Sequence, residues 1–301
     1  MKSDRQNITV LMGGNSPERP VSLKTGQAVS AALEALGYRV KAIDYHRDLT
    51  RWLADLRAAD LVFLALHGGD GESGQVQAFL DLMGIPYTGT GPLGSGLCMD
   101  KHLSKLVLEH YGIHTPEWIM LGEGESIDPP FDFPVVVKPN DLGSTIGLSI
   151  VNEQSELAKA VDQALIHGDS ALIECFIPGR ELTVTILDRQ ALPIVEIRPR
   201  HGVYDYECKY TSGMSQYICP ADLASELTET IQSVAESIFS VLKGRHYGRI
   251  DFRLDENDIP WCLEMNTLPG MTNTSLVPKA AAAAGMDFNT LVNTMVKLAL
   301  Q

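Results

Sequence analysis

Two kinds of hydrophobic pattern recur along this chain: short runs that are apolar throughout, and longer stretches with apolar residues three and four positions apart. Residues 8–12 form an apolar run that ends at Gly13-Gly14. In residues 21–36, Val21, Ala28, Ala32 and Leu36 share one helical face, and Gly37 stops the helix. Residues 38–45 read as a second strand. Residues 60–66 are apolar after Asp60, as expected of a strand covered on both faces of a parallel sheet. Residues 1 to about 100 therefore predict a doubly wound, Rossmann-like α/β domain, with functional loops at the C-terminal ends of its strands.

Beyond that point the pattern turns mixed. Asp100 is placed to cap a helix running to about Tyr111. Residues 133–139 and 148–151 read as strands around a glycine-rich turn at 140–147, and residues 155–167 as an amphipathic helix. Strands follow at 171–177, 181–187 and 191–198, then an amphipathic helix at 223–243 that Gly244 ends. Residues 249–254 and 260–266 flank Asp255-Glu256-Asn257-Asp258 and predict a β-hairpin. Residues 269–276 lead into a helix, and 287–300 form a closing amphipathic helix. Residues 123–132 are polar and read as a surface loop. Residues 203–217 carry aromatics and charges without a sustained period, which suits a functional loop or lid.

The 301 residues allow two or three domains with a sizeable core. A net charge of −14 argues against nucleic-acid or anionic-membrane partners, so a phosphate site has to be built locally from lysines, arginines and backbone N–H groups. The five cysteines, Cys98, Cys175, Cys208, Cys219 and Cys262, show no metal-ligand spacing and read as reduced thiols in a cytoplasmic protein. The run at 8–12 is too short for a signal peptide, and no run is long enough to span a bilayer.

The hairpin carries the most specific chemistry. Alternation puts Arg249 and Asp251 on one face of its first strand, and Cys262, Glu264 and Asn266 on one face of its second. With a turn at 255–258, Arg249 lies opposite Glu264 and Asp251 lies diagonal to it, about 7–8 Å away. Two carboxylates and an amide oxygen suit Mg²⁺, and they equally suit a solvated face with ordinary ion pairs. Lys101 in the first turn of a helix points to an anionic partner, or is simply solvated. Lys138 at a strand end before Gly143-Ser144-Thr145 is the pattern of a phosphate-wrapping loop. Glu18 fits a first-turn glutamate, and Phe176 fits a core position as readily as a pocket wall. The loop 67–74, His-Gly-Gly-Asp-Gly-Glu-Ser-Gly, would serve as a flexible turn or as a site loop. No G-x-G-x-x-G follows the first strand, which disfavours a nicotinamide-dependent dehydrogenase.

Gly248-Arg249-Ile250-Asp251, followed by Leu263-Glu264-Met265-Asn266-Thr267-Leu268-Pro269-Gly270-Met271-Thr272, resembles the metal-binding core of the ATP-grasp ligases, in the form found in the D-alanine–D-alanine ligases. The resemblance returns at the loops 13–19, 67–74 and 140–147 and covers nearly the whole chain. It implies a three-domain ATP-grasp fold: an N-terminal Rossmann-like domain at 1–100, a central subdomain at 101–182, and a C-terminal subdomain at 183–301 with the metal site and a mobile loop. It implies ATP as substrate and Mg²⁺ as cofactor, two ions, with Mn²⁺ able to substitute. D-alanine, a homodimer and peptidoglycan precursor synthesis are also implied.

By the same resemblance Glu18 holds the ammonium of the first D-alanine, within a hydrogen-bonded cluster with Ser144 and Tyr210, and His67 lies at the substrate end. Lys101, Lys138 and Lys209 meet the phosphates. Glu174, Phe176 and Ile177 meet the adenine, and Glu181 meets the ribose. Asp251, Glu264 and Asn266 ligate metal. Arg249 and the Gly270 N–H stabilise the oxyanion, and Ser275 and Leu276 receive the carboxylate of the second D-alanine at a helix N-terminus. Pro20 departs from the polar residue common in the family two places after the glutamate. Relatives that make D-alanine–D-lactate carry histidine at the Tyr210 position. A non-catalytic nucleotide-binding protein on this fold would lack a metal ligand or lysine, and none is missing. A carboxylate–amine ligase with another acceptor is disfavoured by Tyr210, Ser144, Glu18 and Ser275-Leu276 together.

Overall fold

The structure, a computed structural model, describes residues 6–122, 129–200, 214–272 and 275–301. The first layer is a parallel sheet of β1 (Asn7–Gly13), β2 (Arg39–Tyr45) and β3 (Leu61–Leu64), in the order β2-β1-β3. Helix α1 (Arg19–Ala35) crosses over from β1 to β2. It begins two residues earlier than the apolar period suggests, with Pro20 in its first turn, where the missing N–H costs nothing. Short helix α2 (Leu53–Arg57) precedes β3. Helices α3 (Gln75–Leu82) and α4 (Pro92–Met99) follow it, two elements that the apolar pattern did not mark out.

Helix α5 (Lys101–His110) opens with the expected cap: the Asp100 carboxylate accepts from the Leu103 N–H at 2.9 Å. The next sheet is antiparallel, in the order β4-β7-β5-β6, from β4 (Trp118–Leu121), β5 (Val135–Pro139), β6 (Ser149–Val151) and β7 (Ala171–Cys175). Helix α6 (Gln154–Leu165) covers it and buries Leu157, Ala160, Val161 and Ala164.

A second antiparallel sheet runs β11-β10-β8-β12-β13. Its strands are β8 (Arg180–Leu187), β10 (Val195–Pro199), β11 (Ser215–Ile218), β12 (Tyr247–Leu254) and β13 (Pro260–Asn266), with the two-residue β9 (Gln190–Ala191) beside β8. Helix α7 (Ser225–Val241) packs on it through Ile231, Ala235, Ile238 and Phe239. The expected single strand at 191–198 is therefore two pieces.

The chain ends with α8 (Leu276–Ala283) and α9 (Phe288–Ala299). These return to the first layer: Leu291, Val292, Met295 and Val296 of α9 share one core with Val10, Phe63 and Leu64. Tyr38 adds a hydrogen bond to Asn293 at 2.7 Å. Burying that apolar stripe brings residues 268–277 back against the loops that follow β1 and β3. No helix among the described residues is long and apolar enough to cross a membrane.

Candidate active site

The β12–β13 hairpin pairs differently from expectation. Leu254 faces Pro260, so the turn holds one residue more than 255–258, and a bulge between Asp251 and Phe252 inserts another. The two offsets sum to two, which preserves side-chain parity beyond the bulge. Arg249 therefore sits opposite Asn266, not Glu264, and Asp251 sits directly opposite Glu264, not diagonal to it. The bulge also corrects Cys262. It pairs with Phe252 and is fully buried in the core, not on the face of Glu264. Its thiol is pushed up by that burial, which makes it an inert packing group.

The site face of the hairpin is tightly bonded. Arg249 donates to both Asp251 oxygens, Nε to Oδ1 at 2.9 Å and Nη2 to Oδ2 at 2.7 Å. Thr183 of β8 donates to Asp251 Oδ1 at 2.6 Å. Asn266 Oδ1 is buried and, among the described residues, accepts no hydrogen bond. A buried acceptor left in that state is costly, and here it lies on the same face as Asp251 and Glu264. Oxygen donors of this hard type fit Mg²⁺ or Mn²⁺.

Two cavities flank this face. The larger, about 250 Å³, is lined by Glu18, His67, Arg249, Asn266, Gly270, and Ser275 with Leu276 at the start of α8. The smaller, about 140 Å³, is lined by Lys138, Glu174, Phe176, Ile177, Glu181 and Asp251. Lys101, Gly143, Ser144 and Glu264 line both. Every site residue expected from the sequence that lies within the described residues borders one or both. Lys209 and Tyr210 lie outside them.

In the larger cavity, the Ser144 hydroxyl donates to Glu18 Oε1. Ser144 and Thr145 have φ of 57° and 62°, left-handed values that non-glycine residues rarely adopt. Gly68 also has positive φ, and a Cβ there would stand 2.8 Å from Glu18 Oε2. A side chain at position 68 would thus displace the carboxylate. His67 is buried and bonded at both ring nitrogens, to Leu268 O and Thr25 Oγ1, each at 2.9 Å. A carbonyl only accepts, so Nδ1 carries a proton. Thr25 Oγ1 also accepts the Met271 N–H at 3.3 Å. His67 therefore ties α1 to the 268–272 segment. Ser275 occupies the N-cap position of α8 without a side-chain cap bond, and its Oγ accepts the Thr272 N–H at 3.0 Å.

In the smaller cavity, Lys138 Nζ donates to Glu174 Oε1 at 2.6 Å. Lys101 Nζ donates to Leu142 O at 2.6 Å, and stands 3.7 Å from Glu264 Oε2. Burial pushes the Lys101 ammonium below its ordinary pKa, against the pull of Glu264. Arg253 braces the far end: it donates to Ile177 O at 3.0 Å and Gly179 O at 2.8 Å, and lies 3.5 Å from Glu181. Its guanidinium stands over the Phe176 ring.

Three participants escaped the sequence reading. Thr183 is one. Glu72, in the quoted 67–74 loop, lines the larger cavity, 4.0 Å from His67 Nδ1. Its carboxyl is pushed up by burial, with His67 pulling the other way and Glu18 adding to the rise. Lys105 is the third, fully buried beside Glu174 at 3.0 Å. It lies four residues after Lys101 and so on the same helical face, the one signal that pointed to it.

Comparison with known proteins gives the family and the overall fold. A family model described as D-ala D-ala ligase C-terminus matches residues 107–297, and one described as D-ala D-ala ligase N-terminus matches residues 53–90. The D-alanine–D-alanine ligase of Syntrophotalea carbinolica is 46% identical over 97% of this chain and 95% of its own. That of Halalkalibacterium halodurans is 46% identical over 98% and 99%. The crystal structure of the Bacillus anthracis D-alanine–D-alanine ligase superposes with a TM-score of 0.89 at 37% identity, covering 98% of this chain and 97% of that one. Its complex with ATP gives 0.87 at 35%, with the same coverage.

Proposed function

The chain belongs to the D-alanine–D-alanine ligase family, and we propose that it joins two D-alanines into D-alanyl-D-alanine with ATP, through an acyl phosphate, for peptidoglycan precursors. The observation that carries this reading is a pair of adjacent cavities that share Lys101, Ser144 and Glu264 in their linings: one has an acid–hydroxyl pair at its wall, the other lysines and an apolar pocket. The reading extends to a homodimer in the cytoplasm, supported by family membership alone.

A carboxylate is a poor acyl donor until its oxygen is phosphorylated. In this assignment ATP occupies the smaller cavity, with its base against Phe176 and Ile177 beside Glu174, and its ribose at Glu181. Lys138, Lys101 and Lys209 face the phosphates, where charge neutralisation and alignment do most of the catalytic work. Asp251, Glu264 and Asn266 would hold Mg²⁺, or Mn²⁺ in its place, which supplies further neutralisation of phosphate charge; the buried Asn266 Oδ1, which accepts no hydrogen bond among the described residues, supports that assignment.

The first D-alanine lies in the larger cavity with its ammonium on Glu18. Ser144, by holding one Glu18 oxygen, fixes where that ammonium sits, and family membership assigns Tyr210 to the same cluster. The second D-alanine presents its carboxylate to Ser275, Leu276 and the N-terminus of α8. Its amine attacks the acyl carbon, phosphate leaves, and the transient oxyanion would be met by Arg249 and the Gly270 N–H. His67 keeps the 268–272 segment, and with it Gly270, against α1.

Phosphate release from ATP is the test, with D-alanine, L-alanine, D-lactate or D-serine supplied and products identified by mass. Release with D-alanine alone, yielding the dipeptide and lost in Asp251→Ala and Glu264→Ala, is expected. Release only with another acceptor would discard the substrate assignment, and firm ATP binding without any turnover would point to a non-catalytic nucleotide-binding protein.

A further inference from the structure

Lys105 lines neither cavity, yet its surroundings fix its charge. Nζ lies 2.9 Å from Thr115 Oγ1, 2.9 Å from Pro116 O and 3.0 Å from Glu174 Oε2. The Thr115 hydroxyl spends its proton on Cys262 O at 2.9 Å, so towards Lys105 it can only accept. A carbonyl and a carboxylate also only accept. Two hydrogen-bond acceptors and a carboxylate oxygen 3.0 Å away, with no donor directed at the nitrogen from any of them, are the surroundings of an ammonium. Burial pushes this ammonium below its ordinary pKa, and Glu174 opposes the shift. For Glu174, burial alone would raise the carboxyl, but Lys105 and Lys138 outweigh it and hold it below the usual carboxylate range.

The buried array therefore runs Cys262 O, Thr115, Lys105, Glu174, Lys138, and carries two positive charges and one negative. Lys138 alone of its lysines faces the cavity. Without Lys105, Lys138 and Glu174 would form a neutral pair at 2.6 Å, with little field left for an anion.

We propose that Lys105 is a positioning residue for nucleotide binding, which shares the Glu174 charge so that Lys138 keeps a net positive field for the phosphates. This rests on the nucleotide reading of the smaller cavity. The array reaches the carbonyl of Cys262, beside the bulge that sets Glu264, and so also braces the two antiparallel sheets against each other.

The test is equilibrium binding of ATP and of inorganic tripolyphosphate, with chelator present so that protein charges alone act. Tripolyphosphate has no base, so changes at Glu174 report charge only. Charge counting gives 0 for Lys105→Met, +2 for Glu174→Gln and +1 for the double variant, against +1 for the parent. Lys105→Met is expected to bind tripolyphosphate at least fivefold more weakly, and Glu174→Gln at least tenfold more tightly, than the parent. The double variant is expected within twofold of the parent, a rescue that a merely structural lysine would not produce. Thr115→Val, which leaves every charge in place, is expected within twofold. A folded Lys105→Met within twofold of the parent overturns the proposal, as does a double variant no tighter than Lys105→Met. If Lys105→Met does not fold, the double variant is read against Glu174→Gln, where a loss under fivefold overturns it. Failure of the parent itself to bind either ligand removes the nucleotide reading and this proposal with it.

Discussion

Replacing Ser144 by alanine isolates one contact at the proposed first amino-acid position. The hydroxyl donates to Glu18 Oε1, and a hydrogen bond to a charged group contributes about 1.5–3 kcal/mol. At 1.4 kcal/mol per factor of ten, its loss should weaken the first D-alanine by about 10- to 150-fold. Ser144 sits at φ 57°, where a non-glycine residue costs about 1–2 kcal/mol. Alanine keeps that strain and removes only the hydroxyl, whereas Ser144→Gly removes both. Initial rates of phosphate release with D-alanine varied at saturating ATP, fitted for two amino-acid sites, give the comparison. Both variants should raise KM at the first site by at least tenfold, with KM for ATP within threefold. A first-site KM within threefold of the parent in Ser144→Ala would refute the positioning role. A large loss in the alanine variant that glycine reverses would mean that loop geometry, not the hydroxyl, controls the site.

Four further outcomes follow from other parts of the fold. His246 Nδ1 accepts the Gly89 N–H at 3.2 Å, and burial beside Arg245 pulls the imidazole down to about 4. An unfolded chain binds that proton from pH 6.5 downward while the native state does not, so stability should be full above pH 6.5 and fall between 6.5 and about 4; His246→Gln should flatten the dependence of thermal midpoint on pH between 6.5 and 5. Gly179 has φ +134° and a Cβ there would lie 2.0 Å from Leu254 O, a backbone atom, so Gly179→Ala should cost about 3 kcal/mol or more in urea denaturation. Gly285→Ala, at φ +80° in open space, should cost only about 1 kcal/mol. Met295→Ala in α9 should cost about 2–5 kcal/mol, because that helix shares the core of the first sheet; a cost under 1 kcal/mol would separate α9 from it.

The sequence by itself carried most of the fold and the residue types of the site. The apolar run at 61–64 and the helical stripes of α1, α6, α7 and α9 follow from periodicity, because burial of one face is a local demand on the pattern. The Asp100 cap and the hairpin at 247–266 were equally legible, and the resemblance carried at Arg249, Asp251, Glu264 and Asn266 led to a family that the comparisons then bore out.

Tertiary structure alone decided where these groups stand. Two one-residue irregularities set the hairpin register and moved Cys262 into the core, and a strand pattern of period two is blind to an inserted residue until its partner strand is known. The return of α9 to the first sheet depends on a core that joins residues over 200 positions apart. Lys105 illustrates the same limit. A lysine is most often solvated, and only the hydroxyl and carbonyl of residues 115–116 and the carboxylate of Glu174, converging on it from two separate segments, make it a buried ammonium. Such convergence is a sum of long-range contacts, and no local pattern encodes it.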